Sequence, residues 1–106
     1  MTSTRQELIQ GLRHLQEPPV LVDGRNHLGP YLRMVRKDQD IRIDDAAGLF
    51  GVSVDLLSRV ENGKGTVRLD KLLAILEGLG LAMVVGPKGQ MHSFVEGLEM
   101  MRDERV

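Results

Sequence analysis

The chain has 106 residues and a formal net charge of −1; 42 % of its residues are hydrophobic, and it contains no Trp and no Cys. This length suits one small domain with a modest, aliphatic core. Without cysteine, the sequence excludes disulfides and thiolate metal sites and predicts a cytoplasmic protein. The longest apolar run, about residues 79–86, is too short to span a bilayer, so no membrane association is expected.

Charge is distributed unevenly along the chain. Between Arg25 and Lys71, nine Lys or Arg accompany seven Asp or Glu, whereas both flanking segments carry more acids than bases. A weakly basic centre is compatible with a nucleic-acid-binding module, since phosphates attract cationic side chains. Charge alone does not require such a module.

The N-terminal residues predict an amphipathic helix followed by a linker. Thr4-Arg-Gln-Glu7 has the form of a capping box, and leucines at positions 8, 12 and 15 follow at helical spacing. Pro18 and Pro19 end this helix, because proline lacks the N–H that a helix interior needs. We therefore assign residues 1–25 to a helical extension and linker.

Five further helices are predicted after the linker. Apolar spacing and end signals give the bounds of four of them as about His27–Asp38, Ile43–Phe50, Val54–Glu61 and Leu69–Glu77. Leucines at positions 69, 72, 73 and 76 follow the i, i+3, i+4, i+7 spacing of a strong helix. Ser93-Phe-Val-Glu96 has the form of a second capping box, which predicts a short final helix in the tail at 89–106.

A short, buried β-strand is predicted over five apolar residues bounded by glycines: Leu81, Ala82, Met83, Val84 and Val85. The chain offers no obvious partner strand, and an unpaired strand leaves backbone groups without hydrogen bonds. We therefore expect the same strand of a second copy to pair with it. The predicted fold class is all-α, with five to six helices plus one short β-strand pairing across a dimer.

Two short helices joined by Gly51-Val52-Ser53 form a helix-turn-helix pattern. The glycine permits the turn, Val52 fills the space between the helices, and Ser53 caps the second helix. The core does not need four residues of that second helix, which are candidates to meet base edges in a DNA groove: Val54, Asp55, Ser58 and Arg59. Many helical proteins without DNA-binding activity share the bare pattern.

The stretch GVSVDLLSRVENGK, from Gly51 to Lys64, resembles the signature of the phage-repressor and XRE-type helix-turn-helix family. Thr66–Leu73 and Leu79–Val85 resemble, more narrowly, HipB-type antitoxins, in which a strand after the last helix pairs across the dimer. The resemblance covers about residues 26–88 and implies a lambda-repressor-like helix-turn-helix domain there, with the dimerisation strand at 81–85.

The resemblance also implies a function. It is that of a DNA-binding antitoxin and autorepressor of a type II toxin-antitoxin system, which binds a palindromic operator in double-stranded DNA as a homodimer and associates with a HipA-like kinase toxin. Some members of the family leave neutralisation of the kinase to a separate small protein, and the sequence does not distinguish the two arrangements. Terminal segments 4–15 and 93–101 are candidate toxin contacts, because each carries an apolar stripe.

Site residues carried over from the family fall into three groups. Residues that meet bases, or face the same groove, are Ser53, Val54, Asp55, Ser58 and Arg59. Residues that contact phosphate from the loop after this helix are Asn62 and Lys64. A structural ion pair joins Arg36 to Glu61.

One departure from the family pattern concerns acidic residues. The family often has a phosphate-contacting Gln where this chain has Ile43, and Asp44 and Asp45 follow directly. Asp55 adds a third acid, for which two roles are open: it accepts from cytosine N4, or it stabilises the helix N-terminus. These acids predict weakened DNA affinity or a changed operator.

Three alternatives to the antitoxin remain. One is a free-standing XRE-type repressor without a toxin partner, and another is an interaction module that has largely lost DNA binding. An enzyme is the least favoured, because the sequence shows no nucleophile–base pair. No cofactor or metal is expected, since Gly63-Lys64-Gly65-Thr66 lacks the order of a phosphate-binding loop and the three histidines lack ligand spacing.

Overall fold

The computed structural model describes residues 19–23 and 28–103. Its helices are α1 Leu28–Asp38, α2 Ile43–Phe50, α3 Val54–Glu61, α4 Leu69–Gly78 and α5 Lys88–Asp103. The chain divides into two compact units, one of residues Val22–Val84, which contains α1 to α4, and one of Met1–Leu21 with Val85–Val106, which contains α5. The helix predicted at 4–15 lies outside the described residues.

The predicted bounds of α2 and α3 are confirmed, and so is the turn between them. Gly51 ends α2 with a φ of 71°, a left-handed conformation that glycine adopts without strain. The Ser53 Oγ accepts a hydrogen bond from the Leu56 N–H at 3.0 Å, as expected of an N-cap. Val52 packs against the core from within the turn.

The core of the first unit is mainly aliphatic, with Phe50 buried in it and Tyr31 packed against it. Helix α3 packs against α1 and α2, and α2 also packs against α4. The buried hydrophobic residues come from all four helices and the turn after α4: Leu32, Val35, Ala46, Ala47, Phe50, Leu57, Ile75, Leu76 and Leu79. This packing holds one side of α3 against the core and leaves the opposite side exposed to solvent.

Two glycines allow helices to approach more closely than any other residue would permit. A Cβ on Gly29 of α1 would overlap the carbonyl oxygen of Val60 and lie 2.8 Å from that of Glu61, at the end of α3. A Cβ on Gly78 of α4 would overlap the ring of Phe50. Neither contact was predicted from the sequence.

The helix that the leucine spacing predicts is confirmed as α4, but two of its four leucines are exposed. Leu72 and Leu76 pack in the core together with Ile75, but Leu69 is 63 % exposed and Leu73 is 45 % exposed. Only one side of α4 faces α2, so the i, i+4 pair on the neighbouring side stays uncovered within a single chain.

Residues 81–87 form neither helix nor strand, and no strand occurs in the part of the chain that the structure describes. Leu81 packs against the core, while Met83 is 48 % exposed and Val84 is 62 % exposed. The expectation that this stretch is buried is therefore wrong for a single copy. Strand pairing with a second copy stays a prediction, because a strand is defined by its hydrogen-bonded partner.

The final helix begins earlier than predicted. Helix α5 starts at Lys88, with the Met91 N–H donating to the Pro87 carbonyl oxygen at 3.0 Å. Ser93 lies inside the helix, where its hydroxyl donates to the Gly89 carbonyl oxygen at 3.4 Å, so the capping-box assignment at Ser93 is wrong. Among the described helices, α5 included, none has the length and apolar character to cross a membrane.

Candidate nucleic-acid interface

The predicted base-contacting residues share one solvent-facing side of α3 and its N-cap. Ser53 and Asp55 are exposed, Val54 is 45 % exposed, and Ser58 and Arg59 are half-buried. On the opposite side, Leu57 has no exposed surface and Val60 packs against the core. The helix therefore separates residues that hold it in place from residues free to meet a ligand.

The predicted ion pair between Arg36 and Glu61 is present in the structure. The Arg36 Nε donates to Glu61 Oε2 at 2.7 Å, and Nη2 donates to Oε1 at 2.9 Å. The remaining nitrogen, Nη1, donates to the Ile41 carbonyl oxygen at 2.8 Å. The hydrogen bond to Glu61 raises the pKa of Arg36, burial opposes the shift, and the charge of Glu61 adds to it.

This pair fixes the end of the recognition helix. Both side chains are buried, at 8 % and 4 % residual exposure, so water screens their attraction only weakly. The planar guanidinium matches the carboxylate in a two-bond arrangement that specifies orientation as well as distance. Together with the close approach at Gly29, it holds the last turn of α3 against α1.

Asp55 and Arg59 pair on the exposed side of α3. The Arg59 Nε donates to Asp55 Oδ2 at 3.1 Å, one helical turn away. The Arg59 Nη1 lies beside Gly65, where an added Cβ would stand 3.2 Å from it. The two roles predicted for Asp55 from the sequence, at a base or at the helix dipole, do not include this bond to Arg59.

The loop after α3 supports the helix end and presents a cation. The Asn62 Nδ2 donates to the Ser58 carbonyl oxygen at 2.8 Å, and the Lys64 backbone N–H donates to the Arg59 carbonyl oxygen at 2.8 Å. Gly63 turns the chain with a φ of 67°. The Lys64 side chain is exposed and forms no ion pair within the described residues, so it is available to an anion.

Ile43 and Asp44, near the start of α2, both contact other residues of the chain. Ile43 packs against the core, which gives it a structural role in place of the family's polar residue. Asp44 Oδ1 accepts from the Arg42 Nε at 3.2 Å in an exposed ion pair. The weakened DNA affinity or changed operator expected from these acids stays a prediction.

An open groove of about 590 Å³ runs along α1 beside the end of α3. Its lining includes the basic residues Arg33 and Lys37, one helical turn apart, next to Asn62. These two residues are not among the candidates predicted from the sequence, because surface charges on a helix usually only interact with water. Their i, i+4 spacing was the one available signal.

No group of acidic or histidine side chains suited to holding a metal occurs among the described residues. The candidate interface thus consists of the exposed side of α3, the loop to Gly65, and the flanking α1 groove. It is polar and charged in patches, with its rigidity supplied by buried contacts behind it.

Comparisons with known proteins agree with this architecture. A family model described as a helix-turn-helix domain matches residues 27–85, more than half of the chain. The chain is also 35 % identical over 63 residues to the uncharacterized HTH-type transcriptional regulator y4mF of Sinorhizobium fredii, a match that covers 59 % of this chain and 83 % of that relative. The matched residues contain α1 to α4 and the turn before α3. The chain therefore belongs to the helix-turn-helix domain family of DNA-binding proteins.

Proposed function

We propose that the protein is a transcriptional regulator that binds a palindromic operator as a dimer and represses its own gene. The observation that carries the proposal is the two-sided character of α3. One side sends Leu57 and Glu61 into the interior, whereas the other presents Asp55 and Arg59 to solvent. A short helix suits insertion into a major groove when one side packs on the core and the other presents polar side chains.

Two further observations support this function. The relative from Sinorhizobium fredii carries the name of a transcriptional regulator. The loop after α3 offers the exposed Lys64, and the adjoining groove offers Arg33 and Lys37, which are groups that phosphates attract. Base contacts from α3 and phosphate contacts from the loop then form a continuous surface.

A binding measurement tests the proposal directly. A labelled duplex from immediately upstream of the gene is compared with a duplex of the same composition in shuffled order, at the same salt concentration, by fluorescence anisotropy. We expect the upstream duplex to bind at least about a thousand-fold more tightly, as specific regulators do. Equal binding of the two duplexes would favour an interaction module that has lost sequence recognition.

The proposed palindromic operator requires a two-fold dimer of the protein, and exposed apolar residues indicate where such a dimer would form. Leu69 and Leu73 lie one turn apart on an exposed side of α4, and Met83 and Val84 are exposed in the following segment. These apolar residues are candidates to be covered by the strand 81–85 and by α4 of a second copy. A two-fold dimer presents two copies of α3, which would read half-sites about 34 Å apart along the DNA.

A second candidate function is that of an antitoxin bound to a HipA-like kinase. Its support is the resemblance over residues 66–85 and two exposed apolar residues on α5, Phe94 at 42 % and Met100 at 66 % exposure, which offer a protein partner a contact surface. Co-purification from the native host with a kinase-like protein is the test. Its absence favours the free-standing regulator. If the complex forms but survives deletion of residues 92–106, the kinase contacts another surface.

A further inference from the structure

The bond between Asp55 and Arg59 limits what the Arg59 guanidinium can do next. Its Nε already donates to Asp55 Oδ2, at 3.1 Å. The two terminal nitrogens, Nη1 and Nη2, form no hydrogen bond within the described residues, and the side chain remains 43 % exposed. What is left is a planar fork of two donors, held at Nε by Asp55, with Nη1 beside Gly65.

A fork of two donors selects among the bases by simple chemistry. In the major groove, guanine presents two acceptors side by side, N7 and O6. Adenine presents one acceptor and one donor, cytosine a donor, and thymine one acceptor with a methyl group. Only guanine can accept from both terminal nitrogens at once, so a fixed fork discriminates in its favour.

We propose that Asp55, Arg59 and Gly65 form one guanine-reading unit, in which Arg59 contacts the base and the other two position it. This deepens the proposed function and rests on it. Asp55 removes rotational freedom from a long side chain before DNA arrives, which lowers the entropy lost on binding. Gly65 leaves the space beside Nη1 that any larger residue would occupy.

Asp55 is expected to have two opposite effects on DNA binding, one on affinity and one on base preference. The difference between them makes its positioning role measurable. A carboxylate near the DNA backbone repels phosphate, so neutralising it raises affinity for every sequence. Neutralisation also weakens the bond to Nε, because an amide oxygen is a poorer acceptor than a carboxylate, and a less firmly held Arg59 has a lower preference for guanine at one position. A residue that merely repelled DNA would produce the first change without the second.

The first experiment selects binding sites from a pool of duplexes with a randomised centre, using the full chain. The wild-type protein should enrich a palindromic site with an invariant guanine in each half. Arg59→Ala should lose the preference at that position alone, by roughly 5- to 150-fold, the contribution of one good bidentate contact. Asp55→Asn should lower it by about two-fold or more while raising affinity for all duplexes. Asp70→Asn, which breaks the exposed Arg68–Asp70 pair at 3.0 Å outside the interface, is the matched control and should change neither.

The second experiment compares two glycines of the same loop. Gly63 and Gly65 both have left-handed backbones, with φ of 67° and 71°, so alanine strains the chain equally at either. A Cβ at Gly63 meets nothing within 4 Å, whereas one at Gly65 meets Arg59. Gly65→Ala should therefore weaken the guanine preference, and Gly63→Ala should affect only overall affinity.

The possible results distinguish a failure of the guanine assignment from a failure of specific DNA binding. If the wild-type protein enriches no site, specific DNA binding fails and the guanine assignment fails with it. If the wild-type protein enriches a site and Arg59→Ala keeps the same consensus, only the guanine assignment is overturned. If Arg59→Ala loses the guanine but Asp55→Asn and Gly65→Ala keep full discrimination, the positioning roles are overturned.

Discussion

Arg36 and Glu61 join the first and third helices through two buried hydrogen bonds of 2.7 and 2.9 Å. The pair lies behind the surface that we assign to DNA and fixes the last turn of the recognition helix. Because Glu61 raises the pKa of Arg36, the stabilising effect of the charged guanidinium is fully present below the pKa of the unfolded group. It would be lost only as the pH rises to strongly alkaline values, so we expect no change in this effect across neutral pH.

Glu61→Ala should destabilise the protein by about 3–5 kcal/mol, because it leaves the buried Arg36 without its counter-charge. Urea denaturation followed by circular dichroism measures the loss. Asp70→Ala breaks an exposed ion pair and serves as the control, with an expected change below about 1 kcal/mol. A Glu61→Ala protein as stable as this control would show that the pair does not hold α3 in place.

Gly29→Ala should destabilise the protein by about 1–3 kcal/mol, since the new methyl group overlaps backbone oxygen atoms at the end of α3. The backbone cannot rotate away as a side chain would, so α1 and α3 must separate. Gly48→Ala in α2 is the matched control, because a Cβ there meets nothing within 4 Å. We expect that variant to gain about 0.5–1 kcal/mol from helix propensity, so the two changes should shift the denaturation midpoint in opposite directions.

Lys64→Ala should weaken binding to specific and shuffled duplexes alike, because a phosphate contact carries no sequence information. The plot of log affinity against log salt concentration should become shallower by about one unit of slope. Lys88→Ala removes an exposed cation at the start of α5 and is the control. An unchanged slope for Lys64→Ala would remove the loop from the interface.

Val84→Pro should convert a dimer into a monomer, because proline removes a backbone donor from the expected strand pairing. Val84→Thr keeps that donor and a branched side chain, so it should remain dimeric. Sedimentation at micromolar concentration distinguishes the two species. A wild-type protein that sediments as a monomer at that concentration would contradict strand-mediated dimerisation altogether.

The sequence alone determined the local structure of the central region. Gly51 and Ser53 specify a turn and a cap by their own backbone and hydroxyl chemistry, so the bounds of α2 and α3 follow from a few neighbouring residues. The Arg36–Glu61 pair was also anticipated, through resemblance to a known family. The start of α5 was missed because Ser93 matches a capping pattern, while the helix actually begins at Lys88, directly after Pro87.

Tertiary structure decided what depends on residues distant in sequence. Leu72 packs against the core and Leu73 is exposed, because α2 covers only one side of α4. The spacing of the leucines does not determine which side is covered. The close approach at Gly29 depends on where α1 crosses α3. The position of the Arg59 Nη1 beside Gly65 depends on how the loop folds back, which local periodicity does not encode. These relationships place the guanidinium, and so the tertiary fold determines which donors α3 presents.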